Sequence, residues 1–405
     1  MELSEMADRP WKIVFLENSV RMSGVQHSTI HLLRSIDRSR WEPVVFCPAE
    51  GELSEACTAA GIAYDLVAVP TLRPLRSWTS NGFRRYHPFA LVRNVIALLR
   101  AATLVRSRLK AQKADLLVTK GLDSHFTGGL AVRGLSIPCV WHVQDYISDG
   151  YFGLYRFIAR AAARRYPAAI IADGECIMEQ LEVKGGPIPL VIHNGIDTGH
   201  FASVQPVSRT TTRFVIGMVA RLTPWKGQDS LIAAFAQLAK ERPNVDLRLV
   251  GSAVFGSDEY ELKLRGKAVS AGLERRIVFD GYRSDLISVL SEMDIFAYTA
   301  IEKDTSPLAL LTAMAAGLPI VAFDIPGVHE IINHNVSGLL VPVGDIQALA
   351  NALGGLLDDM DLRSRLGTNA RAEAKQRFDI TVFTVACEKV FQSVLGLAGN
   401  EPRAW

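Results

Sequence analysis

Short apolar runs rich in β-branched residues alternate with longer helical patterns along nearly the whole chain. Residues 12–16, 116–119 and Cys139–Val143 are three of these runs, and apolar residues recur three and four positions apart in the stretches between them. Such a periodicity is typical of helices. Continuously apolar strands separated by helices are typical of a parallel sheet that is covered on both faces. The alternation therefore predicts an α/β fold with doubly wound parallel sheets.

The alternation is interrupted once, near the middle of the chain. Residues 200–213 are rich in Ser and Thr, contain one Pro and lack apolar periodicity, which is typical of a linker. The alternation then restarts at Phe214–Val219. The length of 405 residues also predicts two or three domains, at roughly 100–200 residues each. We predict a Rossmann-like domain at 1–205, a second at 206–380, and a C-terminal helix and tail at 381–405.

Composition excludes several broad classes of protein. Hydrophobic residues make up 49% of the chain, which excludes global disorder. The 44 basic residues nearly balance the 42 acidic ones, which argues against a general nucleic-acid-binding protein. The five scattered cysteines form no Cys-x-x-Cys or Cys/His cluster, so we expect reduced, mostly buried thiols and no zinc site. Such thiols are usual in the cytoplasm, and the acidic N-terminus lacks the positive charge of a signal peptide.

Residues 305–323 contain no charged side chain and are nearly as long as a membrane-spanning helix, which needs ~20 residues. However, Pro307 lies near the start of this stretch, and Gly317 and Pro319 divide it. We therefore predict a short buried helix followed by a short strand.

Basic residues are concentrated in part of the first domain. Residues 66–114 include eight arginines and two lysines but no acidic residue, and aromatic residues are interleaved with them. A second acid-free run, residues 150–172, carries three arginines four positions apart on one helix face. Such segments suit an anionic membrane surface, and we predict contact with one through 73–113 and 156–165. The alternatives are a solvated face whose acidic partners come from elsewhere in the fold, and nucleic acid, for which no recognition motif is present.

The loop after the predicted strand at Phe214–Val219 carries the most informative cations. Arg221 and Lys226 lie five positions apart, directly before Gly227 and a predicted helix. Ligands of open parallel α/β sheets bind beyond the carboxyl ends of the strands, where fixed cations and free N–H groups at a helix start favour a diphosphate. Two solvated loop cations are the alternative. The sequence contains neither a G-x-G-x-x-G fingerprint nor a G-x-x-x-x-G-K-[ST] phosphate loop.

Five segments, in order along the chain, resemble motifs of glycosyltransferase family 4. They read WHVQD, VIHNGID, IGMVARLTPWKGQDS, LTAMAAGLPIVA and FDIPGVHEII. Members of this family are retaining nucleotide-sugar transferases with the GT-B fold. The resemblance implies two doubly wound Rossmann-like domains that face each other across a cleft, with the C-terminal helix returning to the N-terminal domain.

The resemblance also implies roles for individual residues. Arg221 and Lys226 would neutralise the donor diphosphate as it leaves, and His142 would face the transferred sugar. A hydrogen-bonded core histidine is the alternative for His142, and a helix cap is the alternative for Glu330. No metal and no cofactor are implied, since the nucleotide sugar is a substrate. The residues expected on the donor side are Ser23, Gly24, Gly251, Asp304, Thr305, Ser306, Pro307, Thr312 and Glu330.

One motif departs from the family pattern. Where the family has a pair of glutamates, the alignment places Thr305 and Thr312, neither of which is acidic. The neighbouring Asp304 would then supply the first carboxylate. The Thr312 hydroxyl would bind a ribose hydroxyl more weakly than a carboxylate does.

The sequence therefore predicts a retaining, metal-independent hexosyltransferase. It would move a sugar from a nucleotide-sugar donor to a glycan or lipid-linked glycan, in the cytoplasm or at the inner face of the membrane. A catalytically weak nucleotide-sugar-binding subunit is the alternative, motivated by Thr305 and Thr312. An epimerase of the same fold is a third option, which the ordered motif matches disfavour.

Overall fold

The computed structural model describes most of the chain, and its contacts divide the chain into two compact units. Unit 1 comprises Met1–His193 and Phe383–Trp405, and unit 2 comprises Asn194–Val382. The described residues are 9–69, 76–78, 84–86, 89–147, 154–183, 186–204, 213–253, 258–302 and 304–397.

Unit 1 is built around a parallel sheet. Its strands are β1 (Trp11–Leu16), β2 (Trp41–Cys47), β3 (Ala63–Leu66), β4 (Arg76–Trp78), β5 (Arg84–Tyr86), β6 (Leu116–Lys120), β7 (Cys139–Val143), β8 (Ala169–Ala172) and β9 (Ile188–Val191). Seven of them form the sheet, in the order β3-β2-β1-β6-β7-β8-β9, while β4 and β5 pair separately. Its helices are α1 (Gly24–Ser35), α2 (Glu52–Ala59), α3 (Ala90–Gln112), α4 (Leu122–Val132), α5 (Leu154–Ala163) and α6 (Glu175–Leu181).

Unit 2 is built around a second parallel sheet. Its strands are β10 (Phe214–Val219), β11 (Val245–Val250), β12 (Ile277–Gly281), β13 (Ile295–Tyr298), β14 (Ile320–Phe323) and β15 (Leu339–Val341). They follow the order β12-β11-β10-β13-β14-β15. Its helices are α7 (Thr198–Ala202), α8 (Gln228–Glu241), α9 (Asp258–Ser270), α10 (Leu286–Ser291), α11 (Leu308–Ala315), α12 (Pro326–His329), α13 (Ile346–Asp358) and α14 (Met360–Arg377).

The two sheets confirm the prediction of two doubly wound α/β domains. The sequence did not indicate the edge strands β3 and β15, because neither carries a long apolar run. The predicted linker at 200–213 begins inside α7, and its residues 205–212 lie outside the described residues.

The last helix of the described chain, α15 (Ile380–Val394), spans the division at Val382. From Phe383 onward this helix belongs to unit 1, as the resemblance implied. There the buried Phe391 ring packs edge-on against Phe15 and Trp41, with centroids 6.3 and 6.0 Å away. The C-terminal helix therefore completes the core of unit 1.

The uncharged stretch at 305–323 forms α11 and β14, as predicted. In the part of the chain that the structure describes, no helix combines the length and the apolar character needed to span a membrane. All five cysteines are free thiols, and only Cys176 is partly exposed.

The packing of α15 predicts the effect of two substitutions on the same helix. Phe391→Ala would leave a cavity between Phe15 and Trp41, and we expect it to lower the free energy of unfolding by about 3–5 kcal/mol. Val385, which is 44% exposed, is the matched control, and Val385→Ala should change this free energy by no more than about 0.5 kcal/mol. Urea denaturation measures both, and equal losses would contradict the assignment of Phe391 to the core.

Candidate active site

The candidate site of unit 2 begins at the loop after β10. This loop passes through a 3-10 turn at Pro224–Lys226 to the start of α8. Gly227 follows the turn with φ of 70°, and a Cβ there would lie 1.9 Å from the carbonyl oxygen of Thr299. A Cβ at Gly251, directly after β11, would lie 1.9 Å from the carbonyl oxygen of Ala220. Only glycine fits at both positions, so the loops after β10, β11 and β13 make close backbone contacts.

Lys226 is buried within this loop. Its Nζ donates to the hydroxyl oxygen of Tyr298 at 2.9 Å and forms an ion pair with the carboxylate of Asp304. The ammonium also lies over the Trp225 ring, 4.2 Å from its centroid. The exposed guanidinium of Arg221 lies over the same ring at 5.7 Å. Both cations predicted from the sequence therefore gather at one indole ring.

Tyr298 is a member of this site that the sequence analysis missed. Burial raises the pKa of its hydroxyl well above the usual value, and the Asp304 carboxylate adds to that shift. Tyr298 therefore keeps its proton, and its hydroxyl donates a hydrogen bond to Asp304. Burial lowers the pKa of the Lys226 ammonium, while Asp304 opposes that shift. The sequence feature that could have indicated Tyr298 is its polar hydroxyl at the end of an otherwise apolar strand.

The segment after β13 holds the residues aligned with the glutamate pair. Asp304, the residue before Thr305, contacts Lys226. The Ser306 hydroxyl oxygen accepts from the Asn194 backbone N–H at 2.9 Å, which gives Ser306 a structural contact within unit 2. The Thr312 hydroxyl donates to a backbone carbonyl of its own helix, that of Ala309, at 2.9 Å.

The backbone around Asp304 is held by a close contact with α12. A Cβ at Gly327 would lie 2.2 Å from the carbonyl oxygen of Asp304. Pro307 is the N-cap residue of α11, and Glu330 is the C-cap residue of α12. The chain thus fixes the position from which the Asp304 carboxylate reaches Lys226.

A row of three titratable side chains crosses the centre of the unit 1 sheet. Glu17 directly follows β1, Lys120 ends β6 and His142 lies in β7. Lys120 is the register partner of His142, and Leu16 pairs with Thr119, which puts Glu17 beside Lys120. Side chains in register on neighbouring parallel strands project from the same face of the sheet. All three are fully buried.

Glu17 and Lys120 have different kinds of partners. The Glu17 carboxylate accepts from the Gln26 amide at 2.8 Å and from the Thr29 hydroxyl at 2.6 Å. Lys120 Nζ donates to the side-chain oxygen of Gln144 at 3.0 Å. Burial lowers the pKa of Lys120 to about 8, although Glu17 opposes that shift. Glu17 and Lys120 were not predicted from the sequence, although each is a charged residue at the end of an apolar run.

His142 is the predicted site residue of unit 1. Among the described residues, neither of its ring nitrogens has a hydrogen-bond partner, and its ring lies 6.2 Å from that of Phe383. Burial, followed by the charges of Lys120 and His125, lowers the pKa of His142 well below its usual value. The imidazole is therefore neutral. Its surroundings differ from those of a hydrogen-bonded core histidine.

Ser23 and Gly24 lie at the start of α1. The Ser23 hydroxyl donates to the side-chain oxygen of Gln26 at 2.6 Å. In the described part of the chain, no atom outside the local helix backbone lies within 4 Å of a Cβ built at Gly24, so packing does not require glycine there. In the described ranges, no three His, Cys, Asp or Glu side chains are grouped to hold a metal ion.

The basic runs of unit 1 are partly paired within the fold. Arg106 donates to the carbonyl oxygen of Ala131 at 2.9 Å, and Arg160 forms a 2.7 Å ion pair with Glu182. Arg160 follows the alternative in which acidic partners come from elsewhere in the fold, whereas Arg106 pairs with a backbone carbonyl. Residues 70–75, 79–83, 87–88 and 150–153 of the two runs lie outside the described residues.

Two protein families match the chain in succession. Residues 23–195 match the family described as "Glycosyl transferase 4-like domain", and residues 202–373 match "Glycosyl transferases group 1". The chain belongs to the family 4 type of glycosyltransferases. Together the two matches extend over most of this glycosyltransferase, and they confirm the resemblance drawn from its motifs.

Two relatives differ in how much of this glycosyltransferase they match. UDP-Gal:alpha-D-GlcNAc-diphosphoundecaprenol alpha-1,3-galactosyltransferase of Escherichia coli is 26% identical over 330 residues, covering 76% of this chain and 83% of the relative. A GDP-mannose-dependent monoacylated alpha-(1-6)-phosphatidylinositol monomannoside mannosyltransferase of Corynebacterium glutamicum is 29% identical over 215 residues, covering 49% of this chain and 55% of the relative.

Two solved structures share the fold of this glycosyltransferase. Anabaena Alr3699/HepE in complex with UDP has a TM-score of 0.79 and 26% identity, covering 94% of this chain and 100% of HepE. Sucrose-phosphate synthase from Thermosynechococcus elongatus has a TM-score of 0.73 and 17% identity, covering 96% of this chain and 100% of the synthase. These neighbours support the GT-B fold.

The buried histidines of unit 1 predict how stability depends on pH. Burial, then the charge of Lys120, lowers the pKa of His125 to about 3. The unfolded chain therefore binds a proton at this histidine below its ordinary pKa of about 6.5, whereas the folded chain does not until near pH 3. The free energy of unfolding should fall as the pH decreases through this range, by about 1.4 kcal/mol per pH unit for each such histidine.

Urea denaturation at pH 7.5 and pH 5.5 measures this dependence. His125→Phe keeps a ring beside Trp141 and removes the titration, so it should lose less stability than the wild type between the two pH values. His200→Gln, which changes an exposed histidine, is the control and should lose as much as the wild type. A His125→Phe variant that also loses as much would contradict the prediction.

Proposed function

We propose that this glycosyltransferase is a retaining, metal-independent hexosyltransferase that uses a nucleotide-sugar donor. The observation that carries the proposal is the pair Arg221 and Lys226 gathered at the Trp225 ring, directly before the start of α8. Two cations at a helix start match the charge of a diphosphate leaving group.

The E. coli relative and HepE favour a UDP-sugar donor and a glycan or lipid-linked glycan acceptor. The name of the E. coli relative specifies UDP-galactose and a diphosphoundecaprenol-linked acceptor. HepE has also been solved in complex with UDP-glucose, at 26% identity to this chain. We therefore place this enzyme in polysaccharide biosynthesis, in the cytoplasm at the inner face of the membrane.

In the proposed reaction, the acceptor hydroxyl oxygen attacks the anomeric carbon from the face on which the diphosphate leaves. The bond from that carbon to the phosphate oxygen breaks, the new glycosidic bond forms, and the leaving phosphate takes the acceptor proton. Arg221 and Lys226 stabilise the charge that develops on the phosphate. Configuration at the anomeric carbon is thereby retained.

The alternative of a catalytically weak subunit has little support. It was motivated by the threonines at 305 and 312. A carboxylate is nevertheless present beside Lys226, because Asp304 supplies it. The threonines at 305 and 312 therefore do not leave this position without an acidic side chain.

Substitution of Lys226 tests the proposed catalytic charge. A thermal-shift panel of UDP-galactose, UDP-glucose and GDP-mannose selects the donor, since a ligand at 100 times its dissociation constant stabilises a fold by about 2.7 kcal/mol. Lys226→Ala should then slow hydrolysis or transfer of that donor by about 100-fold or more. Lys240→Ala, which removes an exposed lysine of α8, should leave the rate unchanged. Near-normal turnover by Lys226→Ala would refute the assignment.

Membrane contact through α3 is the second part of the proposal. The N-terminal half of α3 exposes large apolar residues, led by Phe89 at its N-cap, which is 76% exposed. Arginines at 93 and 100 are exposed beside them. An apolar stripe with basic neighbours suits insertion at the surface of an anionic bilayer. The exposed apolar residues of this stripe are Phe89, Val92, Ile96 and Leu99.

Vesicle sedimentation tests this contact. The enzyme should bind anionic vesicles and should bind neutral vesicles weakly or not at all. Its binding to anionic vesicles should decrease at high salt. The double variant Phe89→Ser, Leu99→Ser should weaken binding to anionic vesicles by about tenfold or more, because two apolar side chains no longer insert. Leu262→Ser, at an exposed position of unit 2, is the control. Equal binding to neutral vesicles, or no effect of the double variant, would contradict the proposal.

A further inference from the structure

Lys226, Tyr298 and Asp304 come together from three segments of unit 2. Lys226 lies in the loop after β10, Tyr298 ends β13 and Asp304 precedes α11. The Tyr298 hydroxyl accepts from Lys226 at 2.9 Å and donates to Asp304. The side chains of Lys226 and Asp304 keep only 11% and 18% of their surface exposed. The chain therefore contains its own carboxylate partner for the ammonium that is proposed to bind the donor diphosphate.

Few directions remain from which a phosphate can reach this ammonium. A lysine ammonium has three N–H donors, and Tyr298 and Asp304 each take one. The Trp225 ring covers a further side at 4.2 Å. A diphosphate that is held by both cations must therefore share or replace the contact with Asp304.

The loop that carries Lys226 has little freedom to move away from Asp304. The Trp225 carbonyl oxygen accepts from the backbone N–H of Ile301 at 2.9 Å. A Cβ at Gly227 would overlap the carbonyl oxygen of Thr299, which shows how closely the two loops pack. If a diphosphate replaces Asp304 as the partner of Lys226, the Asp304 side chain therefore moves rather than the loop.

We propose that Asp304 competes with the donor diphosphate for Lys226. This inference rests on the proposed function, because it assumes that a diphosphate binds at this loop. Arg221 and Lys226 together carry two positive charges, and the Asp304 carboxylate offsets one of them. Tyr298 keeps its hydrogen bond to Lys226 whichever anion is bound, and so acts as a positioning residue. Asp304 thereby limits how tightly the diphosphate product is held.

Asp304→Asn tests the competition, because it keeps the shape of the side chain and removes its charge. Isothermal titration at pH 7 without divalent metal would use UDP and inorganic pyrophosphate as probes. We expect Asp304→Asn to bind both about tenfold more tightly than the wild type, since a like charge beside the anion is gone. A purely structural role for Asp304 would instead weaken binding or leave it unchanged.

The matched control is Glu302→Gln, which makes the same change of charge two residues away at an exposed position. It should leave both affinities unchanged. Equal affinities for Asp304→Asn and Glu302→Gln, or weaker binding by Asp304→Asn, would overturn the competition. Thermal unfolding of each variant is measured first, and Asp304→Ala serves the same comparison if Asp304→Asn does not fold.

Lys226→Ala separates the competition from the proposed function. If Lys226→Ala weakens UDP binding while Asp304→Asn does not strengthen it, the competition is wrong and the diphosphate site stands. If Lys226→Ala binds UDP as tightly as the wild type, the diphosphate site itself is wrong. Absence of any binding of UDP and pyrophosphate to the wild type would overturn both.

Discussion

The register of parallel strands determines where charge lies in both units. In unit 1 it aligns Glu17, Lys120 and His142 in one buried row. In unit 2 the neighbouring strands β10 and β13 end together, which brings Lys226 to Tyr298. A slip of one residue would turn these side chains to the opposite face of the sheet. Because a buried ammonium is costly without partners, the hydroxyl and carboxylate beside Lys226 are part of what keeps this arrangement stable.

Much of the fold can be predicted from local patterns of apolar residues in the sequence. The strands Cys139–Val143 and Phe214–Val219 have the bounds that their apolar runs predict. These strands are covered on both faces, so their composition alone distinguishes them from loops. The edge strand β3 was missed because it is largely exposed and carries mixed residues. The pairing of two strands with no apolar run, β4 and β5, has no such local signal.

The candidate site was only partly predictable, since its contacts join distant positions. Arg221 and Lys226 were found because they lie together in one loop after a strand. The contacts of Lys226 with Tyr298 and Asp304 span 72 and 78 positions in the sequence. No local spacing encodes such pairs. Part of the basic interval was also misleading, because arginines such as Arg106 satisfy backbone carbonyls inside the fold.

Hydrogen–deuterium exchange with and without UDP tests the central claim most directly, namely that the diphosphate binds at the carboxyl ends of β10 and β13. Binding there would protect backbone N–H groups that otherwise exchange with water. UDP is expected to slow exchange in peptides covering 220–228 and 298–307. Protection confined to unit 1, or to parts of unit 2 that exclude both loops, would contradict it.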